Sequence, residues 1–327
     1  MELLYFILAL AVGIAVIVKS SDVFVDGAAQ TACYCGISQF IIGVIIVGFG
    51  TSAPEMLVSA TAAFDGAPDL ALGNAFGSNI ANIALILGTT AVISPIIINR
   101  QVLFKETPKL LISTAIVAAF IWDDKISRIE AIILIVVFVI LMGRMILISA
   151  KNKNSEIETE TDIPKPEDIS LGKALLKVVI GITLLVLSSK MMVWGAVGIA
   201  KILNISDLII GLTIVAVGTS LPELAASVTA ARKGNNDLAI GNVIGSNLFN
   251  IYMVIGIAGA ITPIESSPEV LYRDIPIVTA LSVSIIIFGL SGTKGGNSGK
   301  INRIHGLIWL LSFVGYTAYL VSTAVHN

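Results

Sequence analysis

A six-residue stretch, Gly50-Thr51-Ser52-Ala53-Pro54-Glu55, recurs as Gly218-Thr219-Ser220-Leu221-Pro222-Glu223. Each copy places one carboxylate in strongly apolar sequence. A second stretch follows each: Gly73-Asn74-Ala75-Phe76-Gly77-Ser78-Asn79-Ile80-Ala81-Asn82, then Gly241-Asn242-Val243-Ile244-Gly245-Ser246-Asn247-Leu248-Phe249-Asn250. The offset is constant, 223 − 55 = 168 and 250 − 82 = 168, and no gap is needed between Ser20/Ser188 and Pro108/Pro276. About half of positions 36–88 are identical to their partners, and chance likeness of apolar helices would not align the Gly, Ser, Asn, Pro and Glu positions. A carboxylate inside a membrane span costs on the order of 2–3 kcal/mol or more and marks a functional site by default. Two at matched positions of a repeat point to one cation site built from both halves.

The surrounding sequence is that of a polytopic membrane protein. Of 327 residues, 56% are hydrophobic and 13% charged, with mean hydropathy +0.94. A net charge of −2 gives no case for nucleic acid. The apolar run Leu3 to Val18 follows Glu2 with no basic n-region, so it reads as a retained helix rather than a signal peptide. Cys33 and Cys35 form a lone C-x-C with no further metal-ligating partner, and read as inert thiols.

Apolar runs of about 20 residues predict helices near 3–29, 37–64, 70–96, 108–122 and 126–148, then 172–200, 205–232, 238–262, 275–291 and 303–324. The expected fold is an all-α membrane protein with ten transmembrane helices in two five-helix repeats, 1–148 and 172–327, joined by a polar linker, 149–171. Five is odd, so the second repeat is inverted relative to the first, as in many secondary transporters. Lys125-Ile126-Ser127-Arg128-Ile129 matches Lys300-Ile301-Asn302-Arg303-Ile304 after a short insertion. Lys and Arg concentrate in one set of loops, at Arg100, Lys105, Lys109, Lys151, Lys153, Arg232 and Lys233 among others. Those loops are expected to be cytoplasmic, with both termini outside. Trp122 and Tyr272 suit an interfacial belt. The linker mixes acids and lysines without the glycine and ligand spacing of a calcium loop, and reads as a solvated connector.

Thr51, Ser52 and Glu55 are spaced to share one helix face. Pro54 cannot donate to the Gly50 carbonyl, so the helix is expected to kink or unwind there and free carbonyl oxygens; Pro222 acts likewise on Gly218. Asn74, Ser78 and Asn82 form a polar stripe at steps of four, beside Gly73 and Gly77, which permit close helix approach. Asn242, Ser246, Asn250, Gly241 and Gly245 repeat it. Singly, each feature has a bland reading: a Ser bonding its own backbone, a packing glycine, a proline kink. Jointly, and twice, they do not. The candidate ligands are the Glu55 and Glu223 carboxylates, hydroxyls of Thr51, Ser52, Ser78, Thr219, Ser220 and Ser246, amides of Asn82 and Asn250, and freed carbonyls. This is an oxygen set for a hard cation such as calcium or sodium; without thiolates or imidazoles it disfavours zinc and copper. No nucleophile–base constellation points to an enzyme, since His305 and His326 lie outside the repeated core.

At G-T-S-x-P-E followed by G-N-x-x-G-S-N-x-x-N the sequence resembles the cation/calcium exchanger superfamily, specifically its sodium/calcium exchanger branch of prokaryotic type. The resemblance covers essentially the whole transmembrane chain. It implies alternating access around a central site, with Glu55 and Glu223 as principal calcium ligands and the six hydroxyls completing calcium and sodium sites. It also implies backbone ligands at Gly48 and Ala216, Asn82 and Asn250 lining the central position, and long first and sixth helices that slide across the rest. Potassium-dependent relatives carry Asp at the position of Asn250, so Asn argues against potassium co-transport. Proton-coupled relatives carry a different motif, which favours sodium as the coupling ion. The expected function is Na+/Ca2+ antiport, with Ca2+/H+ antiport through the same glutamates as the alternative. No cofactor is expected. The partners are the two ions and the lipid bilayer, the working unit a monomer, and the location a prokaryotic cytoplasmic membrane.

Overall fold

The computed structural model describes residues 2–151, 170–203, 216–291 and 298–326. Helices run Glu2–Cys35 (α1), Gln39–Phe64 (α2), Asp69–Ile93 (α3), Thr107–Phe120 (α4), Arg128–Lys151 (α5) and Leu171–Ile202 (α6). They continue as Leu221–Arg232 (α7), Asn236–Ile261 (α8), Val270–Leu290 (α9) and Arg303–His326 (α10). Among the described residues, eight helices are long and apolar enough to cross a membrane. The helices α1 to α10 follow the expected order, with α4 and α7 outside that criterion. Helix α4 is preceded without a break by the π turn Val102–Glu106, and α7 follows the helical turn Ala216–Thr219, where the described residues resume. The expected start of the helix at 205 and most of the linker lie outside the described residues.

Two small strand pairs, absent from the sequence expectations, join the halves. Strand β1 (Ile96–Asn99) pairs antiparallel with β4 (Ser298–Ile301), with Ile96 opposite Ile301. Strand β2 (Lys125–Ile126) pairs with β3 (Ile264–Glu265), with Ile126 opposite Ile264. Ile264 is the repeat partner of Ile96 (264 − 96 = 168), and Ile301 that of Ile126 (301 − 126 = 175, the insertion included). Each half therefore lends a strand to the other in the same register, as halves related by a two-fold axis do.

Wide π turns also recur by the repeat. Val102–Glu106 corresponds to Val270–Asp274, and Ala81–Leu87 to Asn250–Val254. The second pair begins at or beside Asn82 and Asn250. Such single-turn π segments are frequent at functional sites, because the extra residue re-aims side chains.

Helices α3 and α8 are largely buried, whereas α1, α5, α6 and α10 expose long apolar faces. Trp122 and Tyr272 are exposed at helix ends. Helices α2 and α8 touch backbone to backbone. A Cβ at Gly241 would lie 2.3 Å from the Phe40 carbonyl oxygen, and one at Gly245 2.6 Å from Val44 Cα. From the other side, a Cβ at Gly43 would lie 2.6 Å from the Leu238 carbonyl oxygen. The expected close approach thus holds for the second G-x-x-x-G. For Gly73 and Gly77, no atom of the described residues comes within 4 Å of a Cβ position. Gly211, the repeat partner of Gly43, lies outside the described residues.

Helices α1 and α6 lie antiparallel along each other. Gly195 meets the Phe6 carbonyl, Gly13 meets Met192, and Gly181 meets Phe24. A pair of long helices that present mainly apolar surface outward is suited to lipid on one side and to the α2, α7 and α8 block on the other.

Candidate functional site

The glycine contacts between α2 and α8 bring the first copy of G-T-S-x-P-E against the second copy of G-N-x-x-G-S-N. Thr51 Oγ1 donates to its own Val47 carbonyl at 3.0 Å, lies 3.2 Å from Asn242 Oδ1, and is 3.5 Å from Ser246 Oγ. Thr51, Ser52, Glu55, Ser78, Asn82, Ser220, Glu223, Ser246 and Asn250 are all buried. Thr219 is half-buried at the end of the helical turn Ala216–Thr219. Gly48 packs against the Gly245–Ser246 backbone, and Ala216 opens its short turn. The two carboxylates come from opposite halves, Glu55 on α2 in the helix of Thr51 and Ser52 and Glu223 in the first turn of α7. Among the described residues, Oε2 of Glu55 and Oε2 of Glu223 have no hydrogen-bond partner, nor has Ser220 Oγ or Asn250 Oδ1. Buried polar oxygens are ordinarily partnered, so this group of acceptors forms a set that a bound cation would satisfy.

The prolines act differently in the two halves. Pro222 sits in the first turn of α7, after a break at Ser220, as expected for a residue that starts helices and ends preceding ones. Pro54 lies inside a continuous helical stretch, Gly48–Phe64, so the helix does not unwind there. The wide turn of α2, Gly43–Val47, lies about two turns upstream. The Gly50 carbonyl still lacks the donor that Pro54 cannot supply.

The asparagine stripes hold the carboxylate-bearing helices. Asn74 Nδ2 donates to the Glu55 carbonyl at 3.2 Å and to Ser59 Oγ at 2.9 Å. Asn242 Nδ2 donates to the Glu223 carbonyl at 3.2 Å and to Ser227 Oγ at 2.8 Å. The same two bonds thus form twice, 168 residues apart. Four further amides cross between halves: Asn82 Nδ2 donates to Asn247 Oδ1 at 3.0 Å, and Asn250 Nδ2 to Asn79 Oδ1 at 3.1 Å. Ser59, Asn79, Ser227 and Asn247 were not singled out by the sequence reasoning. The repetition of the second Asn in both G-N-x-x-G-S-N stretches was the available signal. His305 lies apart, stacked on Phe288 and accepting from the Asn302 backbone N–H at 3.3 Å. Cys33 and Cys35 are half-buried and not in a disulfide.

Chemically the site holds two acids and many neutral oxygens, and no described group of three His, Cys, Asp or Glu is present anywhere. It fits a hard cation that sheds its water, and it offers nothing for group-transfer chemistry.

Comparison with known proteins agrees with this chemistry. The family described as sodium/calcium exchanger protein matches residues 5–147 and 173–322. A putative antiporter, CaxA, of Alkalimonas amylolytica is 40% identical, covering 95% of this chain and 97% of its own length. The sodium/calcium exchanger MaX1 of Methanosarcina acetivorans is 31% identical over 96% and 97%. The solved structure of the sodium-calcium exchanger NCX_Mj, soaked without Na+ or Ca2+, is similar with a TM-score of 0.81 at 30% identity, covering 97% of this chain and 99% of that one. With both halves matched by the family and the fold shared at full length, the chain belongs to the sodium/calcium exchanger family of membrane antiporters.

Proposed function

We propose that the protein exchanges Na+ for Ca2+ across a prokaryotic cytoplasmic membrane, extruding calcium on the sodium gradient. Glu55 and Glu223 bind the ions with Thr51, Ser52, Ser78, Asn82, Thr219, Ser220, Ser246 and Asn250 and the backbone at Gly48 and Ala216. The observation that carries this reading is the pair of buried carboxylates from opposite halves, each with an oxygen unpartnered among the described residues, beside Thr51 of one half on Asn242 and Ser246 of the other. A single shared site makes the ions compete, and competition is what couples their fluxes and prevents leak. Units 1–148 and 172–327 act as inverted repeats that expose the site to alternate sides. One chain supplies both halves of the site, so the working unit is a monomer.

Charge arithmetic sets the electrical signature. Two ionised glutamates carry −2; one Ca2+ neutralises them, and three Na+ leave +1. Exchange at that ratio moves one net charge per cycle, worth about 2.3 kcal/mol per 100 mV. The alternative coupling ion is the proton, because the same two glutamates are titratable.

The test is calcium uptake into sodium-loaded proteoliposomes diluted into sodium-free buffer. Uptake that requires the sodium gradient supports sodium coupling. Uptake that ignores sodium and follows an imposed pH gradient assigns the proton instead. Voltage-insensitive uptake rules out the 3:1 ratio.

A further inference from the structure

We infer that Asn79 and Asn247 are positioning residues that decide which atom Asn250 and Asn82 turn toward the transported cation. The inference rests on the proposed exchange reading and goes one layer outward from its ligands. An asparagine amide has a carbonyl oxygen at one end and an NH2 at the other, almost equal in shape. Only the oxygen can bind a cation; the NH2 would point positive hydrogens at it. A buried asparagine beside a cation site therefore needs something to choose its orientation.

The chooser is visible on the opposite half. Asn250 on α8 donates its NH2 to Asn79 Oδ1 on α3 at 3.1 Å, and Asn250 Oδ1, on the other end of the same amide, is buried with no partner among the described residues. Asn79 is itself oriented, because its Nδ2 donates to the Asn247 backbone carbonyl at 3.4 Å. Its oxygen is thus the end offered to Asn250, and Asn250 must answer with a donor. The other half repeats one of these two bonds: Asn82 Nδ2 donates to Asn247 Oδ1 at 3.0 Å, while Asn247 Nδ2 has no partner among the described residues. All four side chains are almost fully buried, so water does not compete for these bonds. The spacing is the same in each half, 82 − 79 = 3 and 250 − 247 = 3. Each half thus supplies one orienting amide to the other half's ligand, and neither half alone aims its own oxygen.

A double-mutant cycle read by calcium binding tests this. Purified protein in detergent is titrated with Ca2+ by calorimetry as wild type, Asn79→Leu, Asn250→Ala and the double variant, with melting temperature as a control for folding. Asn79→Leu is expected to weaken Ca2+ binding about tenfold, and to change it less than about twofold once Asn250 is already Ala. Competition by Na+ follows the same pattern. Equal losses in both backgrounds would mean that Asn79 serves packing alone, and unchanged affinity in Asn79→Leu would overturn the inference outright. Should Asn79→Leu not fold, Asn247→Ala with Asn82→Ala runs the same cycle from the other half. A folded wild type that binds neither Ca2+ nor Na+ would sink the exchange reading and this inference together; additivity with intact wild-type binding sinks only the inference.

Discussion

Ser21 Oγ on α1 lies 2.8 Å from Thr229 Oγ1 on α7. Their repeat partners, Ser189 on α6 and Thr61 on α2 (21 + 168 and 229 − 168), are engaged elsewhere. Ser189 donates to the Gly218 carbonyl at 2.6 Å, and Thr61, exposed, donates to its own Leu57 carbonyl at 2.8 Å. The α1–α6 pair therefore breaks the two-fold relation that the strand pairs and asparagine bonds keep. It is docked by α1 on one half and not by α6 on the other in the same way.

That docking is reinforced by charge, and the charge order yields a first prediction. Lys233 Nζ, just after α7, is 2.9 Å from Asp26 Oδ1 and 3.2 Å from Asp22 Oδ1 on α1. The repeat partners of Lys233 and Asp22 are Asp65 and Lys190 (233 − 168 and 22 + 168), again an acid and a base, with the signs exchanged. Both are exposed here. In the opposite access state Lys190 on α6 is expected to reach Asp65. Lys190→Asp should slow exchange several-fold and Lys190→Asp with Asp65→Lys should restore it, read as calcium uptake in proteoliposomes. Failure of the double reversal to rescue would refute the second pairing.

The same ion pair predicts a pH response. Partial burial works against the Lys233 charge, and hydrogen bonds to Asp26 and Asp22 outweigh it, so the ammonium is held above its ordinary value of 10.5. A raised lysine contributes its stabilisation below its unfolded value and loses it as pH rises through the folded one. Hydrogen exchange at the Asp22–Asp26 turn of α1, taken relative to the intrinsic base-catalysed rate, should therefore be steady from about pH 6 to 9, in roughly the range where lysine stays charged. Lys233→Ala should raise it, modestly, because the pair is largely exposed.

Neutralising one glutamate should separate stability from binding. Glu55→Gln and Glu223→Gln remove one of two mutually repelling buried carboxylates, so the ion-free protein should melt at an equal or higher temperature. Both variants should lose the calcium-dependent rise in melting temperature expected of wild type, since stabilisation by a ligand scales with its occupancy. Thermal melts with and without calcium check this; a lower ion-free melting temperature with calcium stabilisation intact would contradict the assignment.

Gly241 should tolerate no side chain. Its Cβ position is 2.3 Å from the Phe40 carbonyl oxygen and 3.1 Å from Gly43 Cα, both backbone atoms that cannot swing aside. Gly241→Ala should cost about 1–3 kcal/mol by overpacking. It should also weaken calcium binding, because it parts α2 from α8 and so Thr51 from Ser246. Gly66, a loop glycine at φ +82 with open space around it, should lose stability through backbone strain on Gly66→Ala without any effect on ion affinity. Comparing the two by melting temperature and calcium titration separates contact from strain.

The sequence alone determined that two carboxylates lie in apolar helices, that they belong to one repeat, and that their neighbours are oxygen donors. Those conclusions need only residue identity, helical spacing and the high cost of burying charge, and Glu55, Glu223, Thr51 and Asn242 are where such reasoning leads. Orientation was beyond it. Whether Asn250 presents oxygen or nitrogen depends on Asn79, which is distant in sequence and on another helix. The wide turn at Gly43–Val47 arose where apolar periodicity is silent, and the helix runs through Pro54 without unwinding. Close packing at Gly241 is likewise decided by the neighbouring helix, because a G-x-x-x-G only permits contact and does not name the backbone that makes it. Likewise, the 168-residue offset makes Ser21–Thr229 and Ser189–Thr61 equivalent on paper. Only the tertiary structure decides which pair is closed, since a repeated chain can hold its two halves unequally and the α1–α6 pair can dock on one half at a time.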